Sequence, residues 1–136
     1  MLQLVYISTA REPVTPATVD AILAASRRNN ARGGVTGLLV VGGSRFLQAL
    51  EGPDQAVLDA YARIRNDPRH GALVLLSTRT VGERMFGDWS MACETGSQAP
   101  RDGDLRAVVA ALTAGLPDKN LRAQFTGFAE IHARAA

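Results

Sequence analysis

Residues 45–53 read RFLQALEGP, and the placement of Gln48 in this run decides how the chain is to be read. Phe46, Gln48 and Leu50 alternate, and in a strand residues two apart point to the same side. Gln48 therefore shares a face with two core-type side chains. A carboxamide buried there without a partner costs roughly 1–3 kcal/mol. A neighbouring element must supply that partner.

Working outward, Gly42-Gly43-Ser44 reads as a hairpin turn that joins this strand to a preceding one at 35–41, VTGLLVV. Gly52-Pro53 opens a helix whose stripe Val57, Ala60, Tyr61 and Ile64 follows i, i+3, i+4, i+7. Asn66-Asp67-Pro68 ends it. Before the hairpin, a helix starts with Thr15 as N-cap and Pro16 in first position, and stops at Gly33-Gly34. Residues 2–9, LQLVYIST, are apolar on both faces, which predicts a central strand covered twice. Residues 72–80 predict another strand, and 86–93 a last one.

This order is α+β, a ferredoxin-like βαββαβ(β) sheet with two helices on one face. The other face needs a cover, and the tail offers two apolar stripes. Leu105, Val108, Val109 and Leu112 form one, stopped near Gly115-Leu116-Pro117. Leu121, Phe125, Phe128 and Ile131 form the second. They predict a C-terminal helical hairpin on the back of the sheet or at a subunit contact. The expected division is residues 1–96 as the main domain and 97–136 as a two-helix cap, with no separate effector domain.

The chain has 136 residues, 46% of them hydrophobic and 21% charged, as expected of one globular domain. A net charge of +2 with no run of five like charges points away from nucleic acid and from membrane surfaces. The single cysteine, Cys93, excludes an intramolecular disulfide or a multi-cysteine metal site. No signal sequence or membrane-length apolar run occurs, so a cytoplasmic address is expected.

Certain polar residues stand where apolar ones are expected. Ile22, Ser26 and Asn30 are spaced by four and share a helix face with Val19 and Leu23 beside it. Tyr6 lies on the first strand, which neighbours the Gln48 strand in this topology. Strands about 4.8 Å apart let Tyr6 and Gln48 hydrogen-bond if register and face agree. Trp89 and Met91 share a face of the last strand. Taken singly, each is an ordinary core pair, helix-end residue or edge packing. Taken together, they outline a cleft with flat apolar walls and one polar edge, suited to a planar aromatic ligand with carbonyl and N–H groups. An amide carries both acceptor and donor, so turning or tautomerising Gln48 exchanges what it offers to ligand and to Tyr6.

No phosphate-cradling glycine loop is present; GGVTG follows a helix and precedes a strand, the wrong context for a dinucleotide fingerprint. His70 and His132 have no metal-ligand spacing, so no metal is expected. No nucleophile elbow or Cys–His constellation supports a hydrolase.

With those residues in view, the chain resembles the BLUF domain, the blue-light sensor using flavin, and specifically its short stand-alone members with a helical tail. The matching stretches are YIS (6–8), SRRNNARGGVTGLL (26–39), RFLQALEGP (45–53), NDPRH (66–70) and FGDWSM (86–91). The resemblance implies FAD, or FMN, held non-covalently between the two helices. It implies that Asn30 and secondarily Asn29 bond the polar edge of the ring, that Ile22 and Ile64 form its walls, and that Ser26 supports the network. Arg63 and His70 are candidates for the phosphate side by charge and position. Gln48 would lie between Tyr6 and the flavin. Light would drive electron and proton transfer from Tyr6, and Gln48 would rearrange its hydrogen bonds and red-shift the absorption. The signal would pass through Trp89 and Met91 without substrate turnover, so the chain is expected not to be an enzyme. Expected partners are a downstream effector protein and further copies of the chain. Val35, where the family more often has Ile, and Asn29 at a variable position are small departures.

The same topology occurs in RNA-binding RRM sheets, whose exposed aromatics are missing apart from Phe46. It occurs also in acylphosphatase, whose anion loop Arg11-Glu12-Pro13 does not reproduce. The alternative that stays open is a light-independent ligand-binding or dimerisation module in which Tyr6–Gln48 is only a core pair.

Overall fold

In the computed structural model, which describes residues 1–11, 14–42, 44–86, 92–95 and 105–132, the elements run β1 (Leu2–Ala10), α1 (Pro16–Gly33), β2 (Thr36–Gly42), β3 (Arg45–Gly52), α2 (Asp54–Arg65), β4 (His70–Thr80), β5 (Ala92–Thr95), α3 (Leu105–Thr113) and α4 (Lys119–His132). The sheet order is β4-β1-β3-β2-β5. β1 and β3 are antiparallel to each other and to their outer neighbours, and β5 runs parallel to β2. This is the ferredoxin-like arrangement that the element order predicts.

Local chemistry sets the boundaries. The Thr18 N–H donates to Thr15 Oγ1 at 3.2 Å, so Thr15 caps α1 and Pro16 follows where a missing N–H costs nothing. Asp118 does the same for α4, its Oδ1 accepting the Leu121 N–H at 2.9 Å. Gly42 pairs with Arg45, the pairing that the expected hairpin between β2 and β3 requires. Gly37 is required for packing rather than for a turn. A Cβ there would lie 1.9 Å from the Ala49 carbonyl oxygen.

The central strands are covered twice. Leu4, Tyr6, Leu39, Phe46 and Leu50 face a core completed by Val19, Ile22 and Leu23 of α1 and Val57 and Ala60 of α2. Val5, Leu38, Val40, Leu47 and Ala49 face a second core with Val109, Leu116, Leu121, Phe125, Phe128 and Ala129 of the tail. Burying such side chains stabilises by about 1.5–3 kcal/mol each, which explains how a short tail stays on the sheet.

Two details differ from the expectation. The described part of the last strand is Ala92–Thr95; Phe86 lies outside it, and residues 87–91 of the expected strand lie outside the described residues. Phe86 is buried at a bend, because its N–H is taken by the Glu51 carboxylate at 3.1 Å rather than by a strand ladder. Ile131 is 69% exposed, unlike the rest of its stripe. At 100° per residue it has drifted to the edge of the face centred on Leu121, Phe125 and Phe128, and Ala129 occupies the core instead.

β4 is an edge strand with register shifts against β1 between Val5 and Tyr6 and between Ile7 and Thr9. Ala72, at φ 49°, occupies the left-handed region at the second of these. Such irregularities twist an edge away from unwanted pairing, here an edge that exposes Val74, Leu75 and Leu76.

Candidate functional site

Tyr6 and Gln48 are direct partners in the β1–β3 register, on the face covered by α1 and α2. The Tyr6 side chain is fully buried and Gln48 is 2% exposed. The Tyr6 hydroxyl donates to Gln48 Oε1. Burial holds the Tyr6 pKa well above that of an ordinary phenol, with the neighbouring Tyr61 and Asp67 adding to the effect. The proton thus stays on Tyr6 at neutral pH, and it is the Gln48 oxygen that accepts its hydrogen bond.

The walls are apolar. Ile22 is buried on α1, and Ile64 of α2 packs half-buried against the same core. Ser26 stands half-buried one turn beyond Ile22. Asn29 and Asn30 lie in the C-terminal half of α1, and their side chains are outside the described residues, as is that of His70 at the start of β4. Arg63 is exposed near the end of α2. Trp89 and Met91 lie outside the described residues.

The tertiary structure adds residues that periodicity alone left in the background. Tyr61, read from the sequence as part of an apolar stripe, places its ring edge-on to Tyr6 at 5.6 Å between centroids. The Arg65 guanidinium stands 5.9 Å from the Tyr61 ring. Asp67 is gripped by Arg69 through Nε at 3.0 Å and Nη2 at 2.8 Å and by its backbone N–H at 2.9 Å, which locks the chain after α2. The Asp-x-Arg spacing was the signal for this fork. Arg11, beyond β1, donates its backbone N–H to the Arg69 carbonyl at 3.3 Å, next to His70.

A buried amide with donor and acceptor ends, a phenol fixed behind it and aliphatic walls from two helices fit a flat heteroaromatic ring with carbonyl and N–H edges. Among the described residues, no group of three or more His, Cys, Asp or Glu is placed to hold a metal ion. No helix among them is long and apolar enough to cross a membrane.

Fold and site together are those of an α+β module with a buried polar pair under two helices. The chain belongs to the BLUF family, sensors of blue-light using FAD, whose description matches residues 1–92. It is 37% identical over 93 residues to photoactivated adenylate cyclase subunit beta of Euglena gracilis, covering 68% of this chain and 11% of that protein. It is 34% identical over 105 residues to the blue light- and temperature-regulated antirepressor BluF of Escherichia coli K12, covering 77% and 26%. The chain thus spans about a tenth to a quarter of these relatives. Among solved structures it is similar to the BLUF protein BlrB in its dark state, with TM-score 0.73 and 28% identity over 99% of this chain and 96% of that one. It is similar also to Klebsiella pneumoniae BlrP1 with FMN and cyclic diGMP, with TM-score 0.79 and 26% identity over 96% and 35%. Flavin is the family's cofactor.

Proposed function

We propose that this chain senses blue light through a Tyr6–Gln48 switch and passes the signal through its last strand and C-terminal helices to a partner protein. The observation that carries this reading is the fully buried Tyr6 hydroxyl donating to Gln48 on the helix-covered face of the sheet. The bound flavin, FAD or FMN, supplies the blue-light absorption and a reversible electron acceptor. Tyr6 would supply an electron and the proton that its environment retains in the dark, and would recover both before the cycle closes, so that no net redox change remains. Gln48 would respond by exchanging which end of its amide faces Tyr6 and which faces the ligand, and would so strengthen its hydrogen bond to the ligand.

Ile22 and Ile64 exclude water from the ring faces. Asn30, Asn29 and Ser26 orient its polar edge, and Arg63 and His70 serve the phosphate side. Arg11 joins His70 there in our reading. Trp89 and Met91 carry the change toward β5. Residues 1–96 form the photosensory domain and 97–136 its two-helix cap. The chain turns over no substrate of its own. Relatives named as a cyclase subunit and an antirepressor support an output made through another domain or protein; further copies of the chain are a second proposed partner.

The test is the visible absorption spectrum of the purified protein in darkness and directly after blue light. A flavin spectrum that shifts to the red and relaxes in the dark supports the switch, and Tyr6→Phe retains flavin but loses the shift. A Tyr6→Phe variant with a normal photocycle refutes the assignment. Failure to bind flavin even when it is supplied leaves a light-independent module.

A further inference from the structure

Glu51 lies on β3 three residues beyond Gln48, so its side chain points to the opposite face of the sheet, toward the tail. It is fully buried. Its Oε1 accepts the backbone N–H groups of Met85 at 2.7 Å and Phe86 at 3.1 Å. Its Oε2 accepts from Gln3 Nε2 at 2.9 Å. Gln3, itself 1% exposed, accepts at Oε1 from Arg79 Nε at 3.0 Å. Arg79 is ion-paired with Asp118, the cap of α4. The segment after β4 and the turn before α4 face each other across a groove of about 370 Å³ lined by Arg79, Met85, Pro117 and Asp118 among others, and the Arg79–Asp118 pair lies along it.

The sense of this chain is determined by its chemistry. An amide has one accepting and one donating end. Arg79 occupies the accepting end of Gln3, so the donating end must meet an acceptor. Glu51 is that group. A glutamine at position 51 would set NH₂ against NH₂, or else turn its own NH₂ toward the Met85 and Phe86 N–H groups. A second tie reinforces the segment, with Arg84 donating to the Gly34 carbonyl at 2.7 Å and to Thr36 Oγ1 at 3.0 Å.

We propose that Glu51 is the positioning residue by which β3, the strand bearing Gln48, holds both the segment leading to β5 and the start of α4, so that movement of β3 reaches the C-terminal hairpin through Glu51–Gln3–Arg79–Asp118. The proposal rests on the photosensor reading and names the regulation of that same site. Glu51 does not face the flavin side; it acts through the residues it holds.

The test uses the flavin-loaded full chain as wild type, Glu51→Gln and the charge-swapped pair Gln3→Glu with Glu51→Gln, which restores every donor–acceptor match. Amide hydrogen exchange is followed at Met85, Phe86 and Leu121 in darkness and under blue light. In Glu51→Gln, dark exchange at these amides rises by about tenfold, as expected when hydrogen bonds to a charged group are weakened. The light–dark difference at Leu121 seen in the wild type disappears, while the red shift of the flavin remains. The swapped pair restores both to within about twofold, a result that mere loss of packing would not give.

A wild-type light–dark difference retained in Glu51→Gln overturns the proposal, as does a folded swapped pair without rescue. A wild type that shifts to the red with no difference at Leu121 also overturns it. If Glu51→Gln does not fold, Arg79→Gln at its half-exposed position opens the far arm; an unchanged light response at Leu121 then refutes the coupling. A wild type with no red shift refutes the photosensor reading instead, and dark exchange in the variants still decides whether Glu51 holds both segments.

Discussion

The Tyr6–Gln48 bond can be weighed by a double-mutant cycle. Gln48→Leu leaves the Tyr6 hydroxyl, which has no exposure, without its acceptor. An unpaired buried hydroxyl costs about 1–3 kcal/mol, offset in part by the apolar gain of leucine. Tyr6→Phe removes the donor and leaves the Gln48 oxygen to find another, at about 1 kcal/mol. The pair Tyr6→Phe with Gln48→Leu removes both ends of this bond together and should cost less than the sum of the two single changes. The coupling is then about 1–2 kcal/mol, and the double variant is more stable than Gln48→Leu alone. For a chain of this size that is about 3–6 °C in Tm. The assay is urea unfolding at a fixed excess of flavin, with flavin affinity measured for each variant so that ligand linkage is subtracted. Effects that add to within about 0.5 kcal/mol would mean that the two side chains do not interact, and the reasoning about the switch would fail with them.

Gly37→Ala puts a methyl group 1.9 Å from a backbone oxygen of β3, so it should destabilise by about 3 kcal/mol or more in the same unfolding assay; a near-neutral effect would contradict the β2–β3 approach. Ala72→Gly relieves a left-handed backbone at φ 49° and should leave stability unchanged or raise it by up to about 1 kcal/mol, whereas Ala72→Val should lower it. The Leu121 N–H, and after it Arg79, hold the Asp118 carboxyl below its usual pKa. A lowered folded pKa contributes stability that is present above the unfolded value, near pH 4, and lost as pH falls through the folded one. Exchange protection of the α4 amides should therefore drop on acidification below about pH 4, and Asp118→Asn should remove much of that dependence.

How much of this was legible before folding is best judged residue by residue. The Thr15-Pro16 start of α1, the hairpin at 42–45 and the doubly apolar β1 follow from local rules, because capping, turn geometry and side-chain alternation act over a few residues. The same alternation placed Gln48 on a core face, and the spacing of four in α1 placed Ile22 and Ser26 together. Tyr61 was visible only as one more member of an apolar stripe, since periodicity gives the face of a helix but not the ring opposite it. Spacing puts Ile131 on the same stripe as Leu121, Phe125 and Phe128, but spacing alone does not say where the cover by the sheet ends, and Ile131 lies beyond it.

By itself the sequence determined the elements, their order and the odd polar residue that each places on a buried face. Only the tertiary structure decided that Tyr6 stands directly opposite Gln48, because alternation sets parity and a slip of two residues would keep parity while separating the pair. The Glu51 network was beyond local reading for the same reason. Its bonds join residues 48, 76 and 34 positions apart, and such contacts arise when β1, β3, β4 and the following segment are brought side by side. A charged residue in an apolar strand announces that it needs partners. Which partners it finds is set by packing the whole sheet against the tail.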